Sequence, residues 1–189
     1  MEAAHVRDRI ARLELATKFR PLHIQVLLVA FAPSRSLADD FYWHDCAAAS
    51  AHPSAPDFRR QVFEVAGVRE LPSKNIEAAL LEFQRLGFFL AHLHECPLDG
   101  PREPSEADSR LASSLALRVR HSYKPKQVVL LGSELQSAIP ALRNAGLGNL
   151  LANEGSTVPV PADTTPEAWS QFRELLAETL RKTRLSGGH

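Results

Sequence analysis

Three short apolar runs govern what this chain can fold into: HIQVLLVAF at 23–31, FFLAHL at 88–93 and QVVLL at 127–131. Each is too short for a buried helix, and β-branched or aromatic residues recur in them. They read as strands buried on both faces. Helical spacing fills the intervals. Val6, Ile10 and Leu13 share one face and predict a helix over 3–18, stopped before Pro21. Phe58, Val62 and Phe63 predict a helix closed by Gly67; Ile76, Leu80 and Phe83 predict another, capped by Ser73 and closed by Gly87. Ser105 and Asp108 are spaced as a capping box for a helix carrying Leu111, Leu115 and Val119. Gly132 turns the third strand into a helix over 133–145, closed by Gly146. TVPVP at 157–161 reads as a fourth, edge strand, since its prolines cannot donate to a ladder. A last helix opens at Pro166 and carries Trp169, Phe172, Leu176 and Leu180. Such alternation predicts one α/β domain over 1–189. Its expected form is a three-layer α/β/α sandwich on a four-stranded parallel sheet.

Charge and cysteine content narrow the function classes. Lys plus Arg equals Asp plus Glu at 22 each, so no global field draws the chain to nucleic acid or an anionic membrane. The basic groups Arg118, Arg120, His121, Lys124 and Lys126, with Arg59 and Arg60, read as a solvated face or as local phosphate contacts. No apolar run approaches the roughly 20 residues of a membrane span. The first residues, MEAAHVRDRIARLEL, lack the apolar core of a secretory signal. No membrane association and a cytoplasmic location are expected. Cys46 and Cys96 fit two ordinary thiols in a reducing compartment better than one disulfide. Two cysteines exclude a four-cysteine metal site within one chain.

Parallel sheets bind ligands beyond the carboxyl ends of their strands, so the loops there are the place to look. After the first strand come Phe31, Pro33 and Ser34, then Asp39, Asp40, Tyr42 and Trp43. The aromatics suit stacking on a base, or pinning a long loop to the core. The two acids suit positioning water, or are solvated loop acids. After the second strand, His92 and His94 alternate onto one face. They suit hydrogen bonding in a polar pocket, stabilising a leaving group, or, with Glu95 or Asp39, ligating a divalent metal. After the third, Gly132 and Ser133 precede a helix and suit either a tight turn or phosphate binding. The chain has no Gly-x-Ser-x-Gly, Walker loop or GxGxxG.

Three of these segments carry a family resemblance. LLVAFAPS at 27–34 resembles the first strand and loop of the uracil-DNA glycosylase superfamily. HLHECPLDGPREPSEAD at 92–108 is similar to its second-strand region, and YKPKQVVLLGSELQSAI at 123–139 to its Pro-Lys-strand-Leu-Gly segment. Phe31 stands where active members carry a polar residue. VPVPAD has no counterpart of their base-stabilising histidine, and the iron–sulfur cysteines are missing. The resemblance implies a divergent DNA glycosylase-like protein acting on a deaminated or damaged base, with DNA as partner and no cofactor. Asp39 and His94 are the expected catalytic pair. Phe31, Pro33, Ser34, Asp40, Tyr42, Trp43, His92, Gly132 and Ser133 are the expected substrate contacts. The alternatives are a non-catalytic nucleobase, nucleotide or nucleic-acid binder of the same fold, and a His-x-His metal-dependent hydrolase. Oligomeric state is left open.

Overall fold

The computed structural model describes residues 2–44, 58–69, 75–98, 106–162 and 165–186. It is a mixed α/β structure around a parallel sheet of three strands: β1 (Val26–Ala30), β2 (Phe88–His92) and β3 (Gln127–Leu131), in the order β2-β1-β3. Central β1 is almost wholly buried, as its continuous apolar run requires, and Leu27, Leu28 and Val29 are at most 1% exposed. Its register sets Ala30 beside His92 on one side and Leu131 on the other, so the three strand ends lie level.

The expected fourth strand is a correction. Val158 forms only a single parallel bridge to Leu131, and Leu151 another to Val128. Val158 donates to the Leu130 carbonyl at 2.8 Å and accepts from the Gly132 N–H at 2.8 Å. Pro159 and Pro161 on either side of Val160 have no N–H to continue the ladder.

Helix α1 (Glu2–Lys18) precedes the sheet; α2 (Phe58–Ala66) and α3 (Ile76–Arg85) join β1 to β2, and α4 (Glu106–Arg118) joins β2 to β3. The cap of α3 is Asn75, whose side chain accepts from the Ala78 N–H at 3.0 Å; the expected Ser73 lies outside the described residues. Gly87 at φ +81° ends the turn after α3, where a Cβ would meet the Gln25 side chain at 2.5 Å. After β3 the expected single helix is broken into a 3₁₀ segment, the short α5 (Ile139–Leu142) and a π-turn. Pro140 interrupts the α-helical bonding there, and Gly146 sits at φ +79°. The last helix, α6 (Pro166–Ser186), buries Trp169, Phe172, Leu176 and Leu180 as its spacing predicts. No helix among the described residues is long and apolar enough to cross a membrane.

Candidate functional site

A cleft of about 620 Å³ opens at the level strand ends. Ala30 at the end of β1 and Phe31 just after it, His92 at the end of β2, and Leu131 at the end of β3 with Gly132 just after it form its base. Pro33, Ser34, Asp39 and Phe41 come from the first loop, Phe58 and Arg59 from the start of α2. Leu98, Glu134 and Val160 complete the wall. The chamber is thus largely apolar and aromatic, with two carboxylates, one imidazole and one guanidinium, a lining suited to a planar polar ligand.

Phe31 is set from behind. His94 is buried, its ring meeting the Phe31 ring edge-on at 4.8 Å between centroids, and its backbone N–H donates to the Phe31 carbonyl at 2.9 Å. His94 Nε2 in turn lies 2.8 Å from Asp108 Oδ1, and Asp108 is 1% exposed. His94 therefore supports the aromatic wall and does not line the cleft, a correction to its expected contact with substrate. Asp108 meets His94 with the carboxylate that the capping-box spacing assigned to a helix start, and Ser105 lies outside the described residues. β2 ends at His92, so the two histidines do not share a strand face. A metal reading lacks ligands as well: no cluster of three or more His, Cys, Asp or Glu is found among the described residues. Cys96 is a free, partly buried thiol, and Cys46 lies outside the described residues.

His92 is partly buried and faces the cleft. Burial, then the positive charges of Arg12 and Arg118, push its pKa down to about 4, so the ring is neutral at physiological pH. A neutral imidazole carries one donor and one acceptor. Arg118 holds the strand end in place by donating to the His92 carbonyl at 3.3 Å and to Glu95 Oε1 at 3.1 Å. The basic run expected to form one solvated face is thus divided, since Arg118 turns inward.

The first loop splits its two acids. Asp39 is exposed at the cleft. Asp40 is 3% exposed, accepts from the Tyr42 N–H at 3.0 Å and lies 3.4 Å from Arg12 Nε. Burial raises its pKa above the usual carboxylate value, against the pull of the Tyr42 N–H, Arg12 and Arg59. Asp40 is outside the cleft, contrary to expectation. Tyr42 is too: it is 2% exposed, stacked near Phe19, with its hydroxyl donating to the Leu90 carbonyl at 3.0 Å and accepting from the Leu90 N–H at 2.7 Å. One hydroxyl thereby closes part of the open edge of β2. Trp43 does not line the cleft either, and its carbonyl accepts from Arg59 Nη1 at 2.7 Å. The chain matches no protein-family model and no curated protein.

Gly132 lies at φ +107°, where a residue with a Cβ is strained, and that Cβ would fall 2.6 Å from Glu134 Oε2. Ser133 is exposed and off the cleft. Sequence reasoning missed Glu134 and Arg59 as cleft residues. Glu134 carries one available signal, its place just beyond a strand-ending glycine. Arg59 carries none, because its role comes from reaching back to the carbonyls of the first loop.

Proposed function

We propose that this protein is a divergent, uracil-DNA glycosylase-like protein with a three-layer α/β/α arrangement, which takes a deaminated or damaged base of DNA into the cleft. The observation that carries the reading is the meeting of Phe31, neutral His92 and the carboxylates Asp39 and Glu134 in one chamber at the strand ends. Phe31, braced by His94, supplies a stacking plane, a contact worth about 1–3 kcal/mol per base. His92 reads the base edge through one donor and one acceptor. Asp39 or Glu134 holds water near the sugar and offsets the positive charge that develops as the glycosidic bond breaks. Taking a base out of a duplex costs unstacking energy, least for a mismatched or damaged one, which favours such substrates.

A second reading is base binding without excision. It is favoured by the engagement of His94 with Asp108 behind Phe31, which leaves a neutral His92 as the only cleft histidine among the described residues. Single-turnover excision on oligonucleotides containing uracil, hypoxanthine or xanthine separates the two. Excision by the wild type that falls about 10²–10⁴-fold in Asp39→Asn or Glu134→Gln supports the enzyme. Binding without excision that is lost in Phe31→Ala supports the binder. If neither excision nor Phe31-dependent binding is seen, both readings fail.

A further inference from the structure

Helix α1 turns Arg12, with Leu15 and Ala16, inward and leaves an apolar stripe outward. Arg12 is buried beside Asp40 and donates to the Ser34 carbonyl at 3.0 Å and the Arg35 carbonyl at 3.2 Å. At about 100° per residue, Val6, Ile10 and Leu13 lie about 100–160° around the helix from Arg12. There they are 55%, 50% and 47% exposed. Burying the stripe instead would take Arg12 away from these partners, so the outward face is built into the fold.

The charges beside the stripe identify what covers it. Arg7 and Glu14 are exposed on one flank, one heptad apart, and neither has an ion-pair partner among the described residues. Arg9, on the other flank, is held by Glu95, and Lys18 by Glu77 at 2.8 Å. Two copies of α1 packed antiparallel would set Ile10 of one against Leu13 of the other. The same register brings Arg7 opposite the second copy's Glu14 at both ends and sets Arg9 against the second copy's Ala16. We propose that this face of α1 is a self-association surface, on which a second copy of this chain packs antiparallel around a two-fold axis. The stripe from Val6 to Leu13 spans only about 10 Å of helix. The contact therefore belongs with interfaces below ~1,200 Å², which form transiently.

Sedimentation velocity of the full chain, carried to high concentration, tests this. A monomer–dimer equilibrium is expected. Ile10→Glu should abolish it without lowering Tm, because the side chain is exposed. Arg7→Glu and Glu14→Arg each place like charges opposite one another and should weaken the dimer about tenfold. Mixing those two variants pairs opposite charges at both ends and should restore association, as should the double variant. A chain that stays monomeric at every concentration overturns the proposal. So does a dimer indifferent to Ile10→Glu, which would use another surface. Weakening by single charge reversals with no recovery on mixing overturns the antiparallel register and the proposal with it.

Discussion

Two neighbouring regions at the carboxyl end of the sheet use the same residue types to opposite ends. On the cleft side, exposed Asp39 and partly buried His92 line the cleft; on the packed side, Asp40 and His94 are buried and paired with Arg12 and Asp108. One position along the chain separates the acids and two separate the histidines. What divides them is the partner each meets. A buried charge is tolerated only with a counter-charge or hydrogen bonds, and Arg12 and the Tyr42 N–H supply these for Asp40 alone. The packed side is therefore the frame, and the cleft-side groups are the ones left free to meet a ligand.

The sharpest way to break that division is to remove Arg12. Arg12→Ala leaves Asp40 buried without its ion-pair partner and strips the Ser34 and Arg35 carbonyls of that donor. Removing one partner of a buried pair costs about 3–5 kcal/mol. Asp39→Ala, at an exposed site, should cost less than about 0.5 kcal/mol. Denaturant unfolding of the two variants measures the contrast, and equal losses would erase the distinction between frame and cleft.

This contrast also shows where the sequence was readable. β1, β2 and β3 were legible because burial on both faces forces continuous apolar runs, and the strand-end location of the cleft follows from their parallel order. The fate of Asp40 was not, since it depends on a guanidinium delivered by a helix distant in sequence. The outward stripe of α1 was legible as a stripe but not in its orientation, because the helix packs Leu15 and Ala16 on the core and Arg12 on Asp40 instead of Val6, Ile10 and Leu13. Val158 failed to become a strand for a local reason, the prolines around Val160, which the sequence displays. Glu134 had only its place after Gly132 as a signal, and its part in the cleft depends on the fold bringing it into one lining with Asp39.

A smaller effect tests the frame from the strand side. Tyr42→Phe keeps the ring against Phe19 and Phe89 but leaves the Leu90 N–H and carbonyl without their partner. A buried polar group left unsatisfied costs about 1–3 kcal/mol. Denaturant unfolding should show that loss, with faster hydrogen exchange at the Leu90 amide. If exchange there is unchanged, the hydroxyl is not what protects the β2 edge.

The smallest expected effect joins the two regions, because His92 belongs to the cleft while the arginines that hold it neutral belong to the frame. Its pKa lies at about 4 in the folded chain, lowered by burial first and then by Arg12 and Arg118. The unfolded value is about 6.5. Between those limits the unfolded chain binds a proton that the folded chain refuses. This contribution to stability is therefore full above pH ~6.5, falls as the pH drops toward 4, and is spent below that. Asp40 runs the other way: burial raises its folded pKa, so its contribution grows as acid protonates it. The His92 ring is partly open to the cleft, which reduces its share to about 1–2 kcal/mol. A profile of Tm against pH for the wild type should slope downward from neutral pH to pH 4. In His92→Asn that slope should flatten. Parallel slopes in the two proteins would show that His92 is not the group refusing the proton, and would remove the neutral imidazole on which reading of a base edge depends.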